Sequence, residues 1–283
     1  MKSGSTTMRT SSLLLKAPGN RSKRKRAVPT EKRQNDIEEA HLNGVYNLGK
    51  IDIMAFGIDR NIVRRMLTSL EQFSGVGGNG SPDLVYRTDE GVLGVEHFRY
   101  DASKTDSKGS SEARSLETAS DTFCVNAASA FLSGDISEVA QKESMKIASN
   151  NDYMVDSFLK AFKKHEKKLI AYKKNVENVY KNEVLNDVWF IAEDTSADAP
   201  AVDIPGYGSV GMTPIFFDEC IDAVRESNVG GIIFMISNKC GDCAIALRNT
   251  NDGVAQVRAL AEQIGIEEVD YNQTLSIERI AFR

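Results

Sequence analysis

Apolar residues first recur with helical spacing between Asp59 and Phe73. The residues that share this face are Ile62, Val63, Met66, Leu67 and Leu70, and Asp59 is suited to cap the helix at its N-terminus. The glycine-rich run of residues 75–80 then ends the helix. A phosphate-binding loop requires a strand before it and a helix after it, so this run does not predict a nucleotide site.

Two strands follow, over residues 83–88 and 92–100, and both are rich in apolar and aromatic residues. The residues between them, Thr88-Asp89-Glu90-Gly91, include an Asp and a Gly, which suit a tight turn. The pattern therefore predicts a β-hairpin.

From about residue 136 to residue 184 the apolar residues keep a helical period, with a break near Asn150. We expect a helical insertion at about 102–186, placed between strands. Its second half has an apolar stripe of Val155, Phe158, Leu159, Phe162, Leu169, Val176 and Val179. The remaining positions hold eight lysines: Lys160, Lys163, Lys164, Lys167, Lys168, Lys173, Lys174 and Lys181.

The last third of the chain alternates again between strands and helices. Apolar strands are predicted at 188–192, 231–236 and 243–247, and helices at about 214–225 and 253–263. Continuous apolar strands that alternate with helices indicate an α/β domain, in which a mixed central sheet is flanked by helices on both faces.

The formal net charge of −5 conceals a contrast between the two ends of the chain. Residues 1–35 hold ten basic residues and one acid, which leaves 25 basic and 39 acidic residues in 36–283. We interpret 1–35 as a disordered basic tail, because so few apolar side chains cannot offset its ordering entropy, and 36–283 as a single α/β domain. The tail contains Lys23, Arg24, Lys25 and Arg26. These residues indicate either nucleic-acid binding, or nuclear import in a eukaryotic host, or a solvated tail without a partner.

Four scattered cysteines and no apolar run long enough to cross a bilayer favour a cytoplasmic protein. Cys240-Gly241-Asp242-Cys243 has the spacing of half a zinc site, but the sequence offers no second pair of cysteines at that spacing. We interpret it as a hairpin turn with Gly241 and Asp242 at its tip.

The most informative acids are Asp83, at the start of the first hairpin strand, and Glu96, inside the second. Side chains alternate along a strand, so Glu96, Phe98 and Tyr100 face one way while His97, Arg99 and Asp101 face the other. The hairpin would bring Asp83 close to Glu96, where two carboxylates repel and raise each other's pKa unless a cation lies between them. Such a pair of hard oxygen ligands suits Mg²⁺ or Mn²⁺.

The order of helix, Pro82-Asp83 strand, Glu96 strand, helix and strand resembles the PD-(D/E)XK nuclease superfamily. The resemblance covers about 58–100 and 187–237. It implies a restriction-endonuclease-like core, Mg²⁺-dependent hydrolysis of DNA or RNA phosphodiesters, and Asp83 and Glu96 as metal ligands. A lysine is expected two residues after Glu96, but the chain has Phe98 there.

The basic residue is therefore either relocated or lost. Lys104 and Lys108 in the following loop are candidate catalytic replacements, with Lys108 preferred because Gly109 permits a close approach to phosphate. Lys142 and Lys146 from the predicted insertion are further candidates. Glu193-Asp194, at the end of another strand, is a possible second cluster or a turn former. His97, on the opposite face from Glu96, is interpreted as a packed or hydrogen-bonded histidine.

Three functions stay open on the sequence alone. The first is a metal-dependent nuclease, with nucleic acid contacted through the basic tail and through Lys163, Lys164, Lys167 and Lys168. The second is a nuclease-like module that binds nucleic acid without catalysis. The third is an α/β protein-interaction module in which the acids only make hydrogen bonds.

Overall fold

The computed structural model describes residues 42, 46–74, 80–102, 140–181, 184–196, 201–238, 241–266 and 272–282. The strands are β1 (Asp52–Phe56), β2 (Leu70–Gln72), β3 (Leu84–Thr88), β4 (Gly91–Tyr100), β5 (Ala140–Asn150), β6 (Val184–Asp194), β7 (Ala201–Ile204), β8 (Gly208–Gly211), β9 (Gly231–Asn238), β10 (Gly241–Arg248) and β11 (Asn272–Phe282). The helices are α1 (Arg60–Thr68), α2 (Asn151–Glu166), α3 (Leu169–Tyr180), α4 (Asp218–Glu226) and α5 (Asn251–Ile264), with a 3₁₀ turn at Pro214–Phe216.

Seven strands form one mixed sheet in the order β1-β10-β9-β6-β4-β3-β2. The central strands β4, β6 and β9 run parallel, whereas β3 pairs antiparallel with both β2 and β4. Helices cover both faces: α1 packs on one, and α2 to α5 pack on the other. The predicted fold class, a mixed sheet flanked by helices, is confirmed.

The predicted hairpin is confirmed, with Thr88 opposite Gly91. The Thr88 hydroxyl accepts hydrogen bonds from the backbone N–H groups of Glu90 and Gly91, both at 3.1 Å. Gly91 has a φ of +147°, a value that favours glycine. This turn sets the register of the two strands, and the register places Asp83.

Asp59 caps α1 as predicted, since its carboxylate accepts the N–H of Asn61 at 2.6 Å. The predicted end of this helix near Phe73 is wrong. The helix ends at Thr68, and Leu70 begins β2 by pairing with Tyr86. Pairing with β3 stabilises residues 70–72 as an edge strand, although the spacing of their apolar residues suits a helix. The spacing alone cannot reveal this contact with another strand.

The insertion at about 102–186 is only partly helical. Asn150 caps α2, and helices follow to Tyr180, but Ala140–Asn150 is a strand rather than a helix. It pairs antiparallel with Asn272–Phe282, a strand that the sequence pattern did not predict. A partner more than a hundred residues away leaves no mark on local periodicity, and for that reason the prediction was wrong.

Three smaller differences appear in the rest of the chain. Strand β1 was not predicted, and it pairs parallel with β10. The predicted helix at 214–225 consists of a 3₁₀ turn and α4. Gly241 and Asp242 pair with Asn238 and Ser237 inside the β9–β10 hairpin, so they do not form its tip. None of the described helices is long and apolar enough to cross a membrane.

Candidate functional site

The β3–β4 hairpin places Asp83 beside the middle of β4. Leu84 pairs with Val95, so Asp83, one residue earlier, comes next to Glu96. One carboxylate oxygen of Asp83, Oδ2, accepts the backbone N–H of His97 at 3.0 Å. The structure therefore brings together the two acids that the sequence singled out.

Glu96 is held from two helices on the face of the sheet covered by α2 and α3. Its Oε1 accepts a hydrogen bond from the Tyr172 hydroxyl at 2.6 Å, and the same oxygen shares a hydrogen bond with His165 Nδ1 at 2.6 Å. The second oxygen, Oε2, is buried and makes no hydrogen bond of ordinary geometry with the described residues. The Glu96 side chain is 5% exposed, and that of His165 is 14% exposed. His165 thus forms the boundary between the buried acid and solvent.

Burial raises the pKa of Glu96 to about 7. The Tyr172 hydrogen bond, the charge of Lys168 and contacts with Asp83 act in the opposite direction and lower this pKa. Desolvation is the cause of the raised pKa, and hydrogen bonds with Asp83 act in the opposite direction. Burial, followed by the charges of Lys168 and Lys164, lowers the pKa of His165 to about 4.

Phe98, at the position of the expected lysine, is a core residue. Its ring stacks on His165 with 5.3 Å between centroids and 16° between planes. The same ring contacts Phe158 at 6.1 Å and Phe190 at 5.7 Å. The charge of a basic group on another element acts on the site, because Lys168, in the turn between α2 and α3, lowers the pKa of both Glu96 and His165.

Sequence reasoning missed His165 and Tyr172. The residues at positions 158, 162, 165, 169, 172 and 176 are spaced alternately by four and three, so they form one helical stripe. His165 and Tyr172 are the two polar members of this otherwise apolar set. A polar side chain on a buried helical stripe requires a partner, and this signal could have identified both residues.

Glu193 and Asp194 lie on opposite faces of the sheet, as neighbours in a strand must. Glu193 Oε2 accepts from Arg99 Nε at 2.8 Å and lies 3.2 Å from His97 Nε2. Asp194 Oδ1 accepts the N–H and the hydroxyl of Ser196, a turn geometry. Burial raises the pKa of Asp194 to about 6. His97 is therefore a buried residue packed against Glu193 on the face opposite Glu96, and the two acids do not form one cluster with Glu96.

The remaining predicted residues fall into three groups. Lys163, Lys164 and Lys167 are exposed at the end of α2 and in the turn after it, and Lys168 is half-buried there. Lys142 and Lys146 lie in β5. The residues that lie outside the described part of the chain are Lys23, Arg24, Lys25, Arg26, Lys104, Lys108 and Cys240.

Within the ranges that the structure describes, no three His, Cys, Asp or Glu residues are grouped so that they could hold a metal ion. Mg²⁺ in proteins is commonly bound by only one or two carboxylates, together with water and substrate phosphate. Asp83 and the buried Oε2 of Glu96 fit that smaller requirement. No family model, no curated protein and no solved structure matches this chain.

Proposed function

We propose that this chain is a Mg²⁺-dependent nuclease that hydrolyses phosphodiester bonds of DNA or RNA. The observation that carries the proposal is Glu96, a buried carboxylate beside Asp83. His165 and Tyr172 hold one of its oxygens, and the other makes no hydrogen bond of ordinary geometry with described residues. Hydrogen bonds with Asp83 also act on Glu96, but a buried carboxylate still costs free energy, so its retention requires a reason beyond stability.

The connectivity around the site supports the same proposal. Helix α1, the β3–β4 hairpin and strand β6 follow each other in the order that the PD-(D/E)XK resemblance implies, and β5, α2 and α3 lie between β4 and β6, where the resemblance implies an insertion. Strand β6 is parallel to β4 and its direct neighbour. Glu96 lies within β4 and Asp83 directly precedes β3, at the entrance of the strand where the resemblance expects it.

Asp83 and Glu96 would hold the ion, which when bound supplies a water of lowered pKa and stabilises charge on the phosphate. The protein's own contribution is to fix the acids. The His97 N–H orients Asp83, while Tyr172 and His165 orient Glu96. Phe98 fixes the plane of the His165 ring by stacking.

Lysines near the site favour a polyanionic substrate. Lys163, Lys164 and Lys167 are exposed close in sequence to His165, and Lys168 acts electrostatically on Glu96. Residues 36–283 as a whole carry an excess of acids, so this lysine cluster is a local exception. Lysines bind the phosphate backbone through counterion release.

Cleavage assays on variants of both acids test the proposal. Labelled single- and double-stranded DNA and RNA are incubated with Mg²⁺ or Mn²⁺ and the wild-type, Asp83→Asn, Glu96→Gln or Glu90→Gln protein. We expect cleavage by the wild type and by Glu90→Gln, an exposed residue of the hairpin turn. We expect a loss of at least about a hundred-fold for the other two variants, because each removes a charged ligand, and loss of activity with a chelator.

A second function is favoured by one observation, the place of Phe98 in the core where the motif lysine is expected. On this alternative the chain binds nucleic acid without cleaving it. Binding at low salt by a wild type that cleaves none of the four substrates would establish the alternative. Cleavage that persists in Glu96→Gln with an unchanged circular dichroism melt would contradict the assignment of the site.

A further inference from the structure

Helix α3 contacts both parts of the candidate site. Its Tyr172 hydroxyl donates a hydrogen bond to Glu96 Oε1 at 2.6 Å. About one turn further along the helix, the side-chain amide of Asn175 donates to the backbone carbonyl of Gly80 at 2.9 Å. Gly80 begins the segment 80–82, which leads directly to Asp83 at the entrance of β3. One helix therefore binds Glu96 itself and also binds the segment that carries Asp83.

The backbone at Gly80 approaches α3 too closely for a larger residue. Gly80 is buried and has a φ of +131°, a conformation that favours glycine. A Cβ atom at this position would lie 2.8 Å from the Cβ of Ala171, which is closer than two carbon atoms pack. Gly80 is also the last residue of the glycine-rich run 75–80. This glycine thus permits the contact between the backbone and Asn175.

Pro82 connects this contact to Asp83. Pro82 is buried, and a Cβ atom at Gly94 of β4 would lie 3.2 Å from Pro82 Cγ and 3.1 Å from Val176 Cγ2 of α3. The proline ring and α3 therefore pack over the same point of β4. Since the φ of proline is fixed, a shift of the backbone before Pro82 also displaces Asp83.

Asn175 is a costly residue for the helix itself. Asn has a lower helix propensity than Ala or Leu, and Asn175 lies in the interior of α3. Besides the Gly80 carbonyl, its Nδ2 lies 3.4 Å from Ser81 Oγ. Both contacts are with the segment 80–82, so the role of Asn175 lies in what this segment carries.

We propose that Asn175 is a positioning residue of the Asp83–Glu96 site. It holds the segment 80–82 against α3 and so fixes where Asp83 lies relative to Glu96, which the same helix holds through Tyr172. Asn175 contacts neither substrate nor ion and acts through Asp83 alone. The inference rests on the proposed function, because it concerns the two acids that would bind the ion.

Binding of Mn²⁺ to the full chain tests this role without a cleavage assay. Free Mn²⁺ is measured by electron paramagnetic resonance, and the Glu96→Gln protein defines the binding that does not involve the site. We expect Asn175→Ala and Asn175→Leu to weaken the site's affinity about ten-fold. Asn175→Leu keeps most of the side-chain volume and removes only the donor. Asn178→Ala is the matched control, because Asn178 is an exposed residue of the same helix, and we expect it to leave the affinity unchanged.

A second control separates positioning from a general loss of stability. Val63 is fully buried in α1, on the other face of the sheet. We expect Val63→Ala to lower the urea midpoint while the Mn²⁺ affinity stays that of the wild type. In cleavage assays, we expect excess Mg²⁺ to restore the rate of Asn175→Ala but not that of Glu96→Gln, because Asn175 is not a ligand.

The outcomes distinguish this inference from the nuclease proposal. If both Asn175 variants bind Mn²⁺ as tightly as the wild type, and the wild type binds more than Glu96→Gln, this inference alone is overturned. The same holds if Val63→Ala weakens the affinity as much as Asn175→Ala does, because affinity then follows stability. If the wild type and Glu96→Gln bind Mn²⁺ equally, the acids hold no ion, and both proposals are overturned.

Discussion

Phe98 illustrates how one residue can serve the core and the site together. Its ring fills the space between Phe158 on α2 and Phe190 on β6, and its face supports the imidazole of His165. A lysine at this position would bury an ammonium group among aromatic rings. The residue that is unusual for the motif is therefore the one that this packing demands.

We expect Phe98→Lys to lower the free energy of unfolding by at least about 3 kcal/mol, a cost typical of emptying a large aromatic position in a core. Phe98→Leu, which keeps much of the apolar volume, is the control and should cost clearly less. Urea denaturation followed by circular dichroism measures both. A Phe98→Lys protein as stable as the wild type, with increased nuclease activity, would contradict the core role of this residue.

Cys220 is a second single residue whose burial has a measurable effect, because its thiol on α4 is fully buried. Burial raises its pKa above the ordinary value of 9.0. The unfolded chain therefore releases this proton first as the pH rises, so the group's contribution to stability is complete below pH 9 and is lost above it. We expect urea midpoints to fall above pH 9 less steeply for Cys220→Ala than for the wild type. If the urea midpoint falls equally steeply with pH in the two proteins, Cys220 does not contribute to the loss of stability.

The start of a single helix depends on local contacts that can be predicted from the sequence. The Asp59 carboxylate accepts the Asn61 N–H at the start of α1. The first backbone N–H groups of a helix have no partner within the helix, and this hydrogen bond supplies one. We expect Asp59→Ala to lower the free energy of unfolding by about 1 kcal/mol. Asp59→Asn, which keeps the acceptor, should cost much less, and chemical denaturation of the two variants distinguishes them. Equal costs would show that charge, rather than capping, stabilises the helix start.

The attachment of α3 to β4 depends on the Tyr172 hydroxyl, which donates to buried Glu96 at 2.6 Å. A hydrogen bond to a charged group contributes about 1.5–3 kcal/mol. We expect Tyr172→Phe to lower the free energy of unfolding by that amount, and exposed Tyr207→Phe to leave it unchanged. Thermal and urea melts measure both changes. If the free energy of unfolding is the same for Tyr172→Phe and the wild type, the hydrogen bond from Tyr172 does not stabilise the fold, and His165 alone holds Glu96.

At the scale of the whole molecule, the acidic body must present a basic surface in order to bind nucleic acid. The exposed lysines Lys163, Lys164 and Lys167 supply one near the Glu96 site. We expect replacing all three by Ala to weaken binding and to reduce the slope of log K against log salt concentration by about 0.7–0.9 for each phosphate that is no longer neutralised. Lys50→Ala with Arg60→Ala, two exposed residues near α1, is the control. Fluorescence anisotropy over a range of salt concentrations measures the slope, and an unchanged slope would mean that nucleic acid binds to another surface.

Much of the architecture could be read from the chain alone. The β3–β4 hairpin, the apolar strands β6, β9 and β10 and the cap of α1 follow from alternation, from continuous apolar runs and from turn chemistry between near neighbours. These local signals also predicted a mixed sheet covered on both faces. They placed Asp83 and Glu96 on the two strands of one hairpin, because its register depends on only four turn residues.

Only the tertiary structure decided which distant segments meet. Ala140–Asn150 is a strand because Asn272–Phe282 pairs with it, and Glu96 has His165 and Tyr172 as partners because α2 and α3 pack across β4. The pKa of Glu96 likewise depends on burial beneath those helices. Periodicity records which face of an element is apolar, whereas long-range contacts depend on the free energy of packing the whole chain. The sequence thus determined the elements whose patterns are local and the pair of acids, and the tertiary structure decided the strands formed by distant segments and the partners that give those acids their chemistry.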